Sequence, residues 1–567
     1  MMMQHSGTAQ AATAPRATAA TATTPAYGAT TIADTNYPIP TGAYYVSNSG
    51  SDSNAGSLTA PFASIHKALS VAPAGATVVV RGGTYRESLG AIKKHVTIQA
   101  YPHEQVWVTG SVVATNFSAD SGLFSMPWSV SMCDTCYPSA ALDPSYPAAG
   151  LPEQVFVDGA PLAQVTAQSA LASGTFYVDR TNGKIWLYDN PAGHTVEVTQ
   201  LASAFTVSSA AAGTVIRGIG FEHWAAVYQS GTNVAAMISA SNVTLDSDTF
   251  AWSSSRFLGV YGSNDIVTNS TFVDNGMNGV TGNKISGLDF EHNEIAYSNY
   301  EHWDITPSPY AQIAGIKLTG VNDTLLRDNN IHDNASNGLW FDVLSTNQTI
   351  VGNDVINNAG HGLTVEVSGH SVIAGNVVAM NGRDGLKISG ANNVEVWNNT
   401  VVDNGWAQLG IYEDPRHTTG LATSDETSVR VGNNIFVAGP DSTKYVLYSL
   451  DTSNPKHLTT VQMLSADDHN TYGRTSVTAP KYLVSEQATL AKSATFTTLA
   501  AFTAATGREH ASTSLDGLAL NALFTNPTGG DFSLLPGVSS LLAAPATLPA
   551  GVATALGSPA VPTVIGA

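Results

Sequence analysis

Charge is what this chain has least of. Only 12% of its 567 residues are Asp, Glu, Lys or Arg, and 23 basic against 43 acidic residues leave a formal charge of −20. A surface of that sign repels nucleic acid and anionic membranes, so neither is expected as a partner. Long apolar runs are missing as well; none approaches the roughly 18 residues of a membrane span. Cysteine is nearly absent, with two residues, Cys133 and Cys136, in MCDTCYP. A zinc site needs further ligands that this segment lacks, and a redox motif needs a βαβ setting that is not there. A small-loop disulfide is the expectation, two free thiols the alternative. No metal or other cofactor is called for.

The opening tract GTAQAATAPRATAATATTPAYGATT has few of the aromatic and branched residues from which a core is made, so residues 1–42 read as disordered. The tract also lacks a convincing apolar segment of a signal peptide. The low-charge, Thr-rich composition nonetheless favours a secreted or extracellular protein.

What the chain has in quantity is repetition. AGIKLTGVNDTLLRDNNIHDNAS is followed by NGLWFDVLSTNQTIVGNDVINNAG, HGLTVEVSGHSVIAGNVVAMNGR and DGLKISGANNVEVWNNTVVDNG, with glycines at 315, 338, 362 and 385 and steps of 23, 24 and 23. A period near 23 is too short for helix-pair repeats and fits one turn of a three-sheet parallel β-helix. A polar residue recurs two places before an inward Phe, Ile or Val at Asp248, Ser270, Asn293, Asn329, Asn353, Asn376, Asn399 and Asn434. Stacked at a bend, such amides can bond from rung to rung. A second ladder is expected through Asn334, Asn358, Asn381 and Asn404.

The fold class is therefore all-β, a right-handed parallel β-helix with an N-terminal capping helix and an inserted antiparallel subdomain. Residues 43–124 read as the cap and first coils, because Phe62, Ile65, Leu69 and Ala72 have helical spacing and a cap hides the first strand edges. Residues 125–200 break the pattern. There, EQVFVDGAPLAQV and GTFYVDRTNGKIWLYDN carry Asp-Gly and Asn-Gly hairpin turns. Residues 201–440 form the main helix, and 441–567 a closing tail. Two insertions of about a dozen residues, at roughly 299–312 and 413–425, lengthen the rungs beside the most regular block. Loops thrown out beside a rigid wall build clefts.

Alternation within each strand assigns the outer face. One and three places after the glycines stand only apolar residues. Two and four places after stand Lys317/Thr319, Trp340/Asp342, Thr364/Glu366 and Lys387/Ser389. Asp342 and Glu366 thus share a column on neighbouring rungs, about 5 Å apart. That matches the roughly 5–5.5 Å of a retaining glycosidase and not the 6.5–9.5 Å of an inverting one. Two such carboxylates cannot both ionise freely, so one pKa is expected to rise. Lys317 and Lys387, diagonal to the pair, neutralise it or bind sugar hydroxyls. Trp340 is expected as an exposed sugar-stacking platform, with Trp303 and Tyr412 as weaker candidates for the same pocket. His302, His361 and His370 read as polar turn residues.

The segment GLWFDVLSTNQTIVGN followed by GLTVEVSGHSVIAGN resembles glycoside hydrolase family 120, the parallel β-helix β-xylosidases, which pair a G-x-W-x-D rung with one ending in hydrophobic-x-E-V. The resemblance implies Asp342 as nucleophile and Glu366 as general acid/base in a cofactor-free double displacement. It also implies a sandwich-like insertion; the substrate expected is a polysaccharide or oligosaccharide fragment, xylose- or arabinose-containing. The chain departs just after Glu366, reading Ser368-Gly369-His370 where the family has Asn-His-Gly. Two other readings stay open. One is a polysaccharide lyase with a Lys base on the same fold; the other is a noncatalytic carbohydrate-binding or surface β-helix.

Overall fold

The computed structural model describes residues 27–130, 132–133, 135, 137, 142–228, 234–304, 312–414, 416 and 427–567. They form a right-handed parallel β-helix built on three sheets of thirteen strands each. Every turn contributes one strand to each sheet in the same order. In the turn ending at the first acid these are Asn322–Arg327, Asn330–His332 and Asn337–Asp342. The third sheet, which starts at Gly90–Ile92 and includes Ala314–Thr319, Asn337–Asp342, Leu363–Glu366 and Leu386–Ser389, carries the site.

The coil interior is dry and apolar. Phe221, Phe250 and Phe272 stack on consecutive turns at 5.5 and 4.8 Å. Leu339, Phe341, Leu363, Val365, Leu386 and Ile388 are fully buried along the third sheet. The corner after the first sheet is an amide ladder running from Asn293 to Asn470. Asn353 Nδ2 donates to Asn376 Oδ1 at 2.9 Å, and Asn376 Nδ2 to Asn399 Oδ1 at 2.9 Å. Each amide also satisfies backbone groups at the bend, which would otherwise be buried without partners. The ladder ends on Glu509, whose carboxylate accepts from Asn470 Nδ2 at 3.2 Å and from the Tyr472 hydroxyl at 2.6 Å. The second ladder runs Asn334, Asn358, Asn381, Asn404 and closes on Gln408 Oε1 at 2.9 Å. This ladder explains the glycine column. A Cβ on Gly362 would lie 2.6 Å from Asn381 Nδ2 and 2.7 Å from the Gly385 carbonyl, closer than any side chain tolerates.

A short helix, Ile65–Val71, capped by Ser64 Oγ, covers the N-terminal end and buries Ile65 and Ala68. At the other end Leu499 and Phe502, of helix Leu499–Thr506, join the solenoid core.

Three boundaries differ from the sequence expectations. Residues 27–42, expected without structure, are placed against the coils. Tyr27 Oη donates to Asp354 Oδ2 at 3.0 Å, Ala29 N to Thr271 Oγ1 at 2.8 Å, and Tyr37 Oη to Asp246 Oδ2 at 3.0 Å. Composition missed this segment because a few hydrogen bonds, rather than an apolar stripe, hold it; residues 1–26 lie outside the described ones. The inserted subdomain starts at Ser111–Val113, not at 125, and ends at Val196–Thr199. Its first strand follows the preceding rung after a single residue, Gly110, so the pattern gives little mark of the break. The tail beyond 515 does not merely close the end. It runs back along the outside, where Leu523, Phe524 and Phe532 pack on Ala379, Val402 and Val437. Helix Ala550–Leu556 lies on Val351, Ala374 and Trp397.

Candidate active site

Asp342 and Glu366 are register partners at the ends of adjacent strands of the third sheet, with Thr319 before them and Ser389 after. Adjacent strands lie about 4.8 Å apart, so the two side chains leave the wall side by side. They are nearly buried, at 6% and 7% exposure. Like charges stacked this closely destabilise a sheet, and three cations offset them. Lys317 Nζ donates to Asp342 Oδ2 at 2.7 Å. Lys387 Nζ lies 3.3 Å and Arg416 Nη2 2.7 Å from Glu366 Oε1. Arg416 Nη1 also reaches within 3.7 Å of Asp342 Oδ1, so its guanidinium spans the pair. It is held there by Asp414, whose Oδ1 accepts from Arg416 Nε at 3.0 Å and whose Oδ2 accepts from Nη2 at 2.8 Å.

These contacts correct one expectation. Burial pushes the Glu366 carboxyl up, but Lys387, Arg416 and Lys317 together outweigh it and hold the group below its ordinary value. Glu366 is therefore not the raised acid, because the column alone does not show the cation supplied by the 413–425 insertion. Burial also lowers Lys317 to about 8, with Asp342 opposing.

The aromatic expectations change more. Trp340 is half-buried and fixed: Nε1 donates to Glu366 Oε2 at 2.9 Å, and Lys317 Nζ sits 2.8 Å from the ring centroid. It is a bracket between the two acids, not an open platform. Tyr412 is also anchored. Its hydroxyl donates to Asp384 Oδ2 at 3.0 Å, and the ring lies across Gly410, where a Cβ would come within 2.5 Å of it. Trp303 does not reach the pair at all. It is 2% exposed, packed with Tyr137, Tyr228, Met277 and Ile313 under the inserted subdomain. A tryptophan in an insertion looks the same in sequence whether the loop covers it or leaves it free. Of the three histidines, His361 lies near Asp384, at 3.4 Å, and His302 stacks on Tyr146 at 4.2 Å.

Arg416 and Asp414 are the functional residues that sequence reasoning missed. They lie in the insertion marked as a cleft builder, yet the repeat register stops there and no column assigns them a neighbour. Residues 305–311, 415 and 417–426, which complete the two insertions, lie outside the described residues, as does Cys136; Cys133 is disulfide-bonded.

The backbone beside the acids is strained. The residue after each outward column member takes a left-handed conformation: Gly320 (φ 63°), Val343 (36°), Val367 (49°) and Gly390 (60°). The flanking rungs use glycine, for which this is free. The two acid-bearing rungs use valine, for which it is a rare and unfavourable state.

Two family models match parts of the chain: "Right handed beta helix region" over residues 232–373 and 312–450, and "Protein of unknown function (DUF1565)" over 48–98. An uncharacterized protein of Bacillus subtilis (strain 168), YwoF, is 41% identical over 75 residues, which span 12% of this chain and 16% of that relative. Among solved structures, XylC in complex with xylose superposes with a TM-score of 0.54 at 18% identity, covering 70% of this chain and 76% of that one. The A-module of the mannuronan C-5 epimerase AlgE6 from Azotobacter vinelandii aligns with a TM-score of 0.42 at 13% identity, over 70% and 85% of the two chains. At such identities the likeness to XylC is one of fold: this chain shares the right-handed β-helix with a protein solved holding a sugar.

Proposed function

We propose that the protein is a retaining glycoside hydrolase, β-xylosidase-like, acting on polysaccharide or oligosaccharide fragments outside the cell. The observation that supports this reading is the register pairing of Asp342 with Glu366 on adjacent strands, whose spacing of about 4.8 Å is close to the roughly 5–5.5 Å of a retaining pair. The fold it shares with XylC, a protein solved with xylose, supports a pentose-containing substrate.

Asp342 is the nucleophile. Lys317 holds Oδ2, while Oδ1 accepts no hydrogen bond among the described residues; Oδ1 is therefore the oxygen that attacks the anomeric carbon. Glu366 is the general acid/base. Trp340 fixes Oε2, which leaves Oε1 to deliver the proton to the departing glycosidic oxygen. Oε1 is paired with Arg416 and Lys387. A sugar entering between the guanidinium and the carboxylate removes that stabilisation of the anion and leaves burial, which favours the protonated acid. The first step yields a glycosyl ester on Asp342 and the free leaving alcohol. In the second, Glu366, now a carboxylate, takes a proton from water, which attacks the same carbon and releases Asp342. No cofactor enters.

Asp342→Ala is expected to lower turnover of chromogenic aryl pentosides by on the order of 10³-fold or more. Added azide partly restores release, with the glycosyl azide in the inverted configuration. Turnover that survives this substitution sinks the reading. One observation favours a lyase instead: a buried lysine lowered to about 8 is the kind of base that removes a carbon-bound proton. Unsaturated products absorbing in the ultraviolet, lost in Lys317→Met, would identify that chemistry.

A further inference from the structure

The outer face of the third sheet does not end at the acids. Toward the C-terminal end the column of Lys387 continues through Gly410 to Tyr448, and that of Ser389 through Tyr412 to Leu450. Tyr445 stands in the neighbouring outward column, paired with Ala407. The rings form a row. Tyr412 meets Tyr448 edge-on at 5.6 Å, Tyr448 stacks on Tyr445 at 4.8 Å and 5°, and Tyr445 stacks on Tyr482 at 6.3 Å and 23°. Tyr445 stacks with both Tyr448 and Tyr482, and all three are half-buried, so part of each ring remains exposed. Beside them Trp406, 40% exposed, leaves its ring open, and its carbonyl accepts the Tyr445 N–H at 3.3 Å.

The opposite direction along the wall differs. Immediately upstream of Asp342 the outward residues are Lys317, already bonded to the acid, and the short polar Thr281, Asn283 and Thr319. There the inserted subdomain packs against the rungs through Tyr137, Leu142 and Ala149. One end of the face is walled by the subdomain; the other opens onto a run of phenols. Three strand steps separate Glu366 from Tyr448, about 14 Å, a span longer than one sugar ring.

We propose that the tyrosine row, with Trp406, is an extended binding surface for the rest of a neutral oligosaccharide chain whose reacting linkage lies at Asp342 and Glu366. Phenol hydroxyls supply both donors and acceptors to sugar hydroxyls, and the aromatic edges and the indole cover the apolar C–H faces of the rings. A neutral chain fits because the phenols and the indole are uncharged and Asp384, which accepts from Tyr412, is buried, while Lys481 Nζ is engaged 4.8 Å over the Tyr482 ring. The position of the surface rests on the hydrolase reading; its affinity for glycan does not.

The test is binding by a size series of β-1,4-xylo-oligosaccharides to the full chain carrying Asp342→Asn, measured by calorimetry. Affinity is expected to climb from the dimer to the hexamer by tenfold or more. Tyr445→Ala and, separately, Trp406→Ala, added to that background, are expected to cut hexamer affinity at least tenfold and dimer affinity less than twofold. The exposed Trp406 serves as the second variant should loss of Tyr445 unsettle the stack. Affinity that is flat with length, losses equal at every length, or no binding by any member each overturns the proposal. Length-dependent binding by a protein whose wild-type form turns over no glycoside would leave the surface standing and remove the hydrolase.

Discussion

From Asn293 to Asn470 a single residue type is stacked turn upon turn, each amide fully buried and donating to the next. At Asp342 and Glu366 the same repeat, at the same strand spacing, stacks two carboxylates. An amide is both donor and acceptor, so stacking satisfies it. An ionised carboxylate only accepts, so stacking leaves two like charges facing each other. The ladder needs no counter-charge, only the amides above and below and the carbonyls at the bend, whereas the acid pair recruits Lys317, Lys387, Arg416 and the Trp340 N–H. The solenoid thus makes a self-sufficient corner and a dependent site from one geometry. Even the ladder shows the rule at its end, where burial and then Asp467 push the terminal Glu509 up to about 8 beside Asn470 and Tyr472.

The sharpest way to break the contrast is to remove a cation. Lys317→Met leaves Asp342 buried beside Glu366 with only the 3.7 Å contact to Arg416 in place of its hydrogen-bonded lysine, and the expected loss of stability is about 3–5 kcal/mol in denaturant unfolding. Adding Asp342→Asn to Lys317→Met should recover most of it, since the stranded charge is then gone. If the double variant is no more stable than the single one, the lysine acts through packing, and the column is not electrostatically dependent.

A ladder member should matter less, because its neighbours lose hydrogen bonds and not a charge partner. Asn376→Ala removes the bonds from Nδ2 to Asn399, Ile350 and Ala374, and those that Oδ1 accepts from Asn353. A loss of about 2–3 kcal/mol is expected from the groups left unpaired. Near-neutral behaviour would mean that water replaces the amide.

How much of this was legible depended on whether a residue keeps the repeat register. Asp342, Glu366, Lys317 and Lys387 could be placed because a glycine four or two positions earlier fixes each on the outer wall, and the structure pairs them accordingly. Arg416 could not, because the insertion that carries it has no neighbouring rung to read against. Trp340 was legible in position but not in role. Its orientation follows from two hydrogen-bonding and cation contacts that only packing reveals. The strap at 27–42 was lost for the same reason, being held by Tyr27 and Tyr37 on acids far away in sequence.

Arg416 is also where the pair's pH response can be tuned. Glu366 is held below its ordinary value, so its ionised form contributes stability above roughly pH 4.3, a contribution lost as pH falls through the lower folded-state value. Arg416→Ala removes one of the groups that depress it. The basic limb of kcat/KM, set by the acid that must be protonated, is expected to move to higher pH, while the acid-side loss of stability begins at a higher pH than in the wild type. An unmoved limb would show that Arg416 does not govern the acid.

The smallest expected effect concerns the strained valines. Val343 follows the first acid at φ 36° and is half-buried, while Gly320 and Gly390 hold the corresponding places on flanking rungs. Val343→Gly relieves backbone strain of about 1–3 kcal/mol, offset by the extra freedom of glycine in the unfolded chain and by lost side-chain contact. The net is a gain of about 1 kcal/mol, read as a small rise in Tm. Activity should move the other way, because the valine fixes the direction in which Asp342 leaves the wall and glycine loosens it. A ladder position offers no such trade, since its amides are placed by their own bonds. If Val343→Gly raises both stability and kcat/KM, the strain serves nothing at the site and the contrast between column and corner is electrostatic alone.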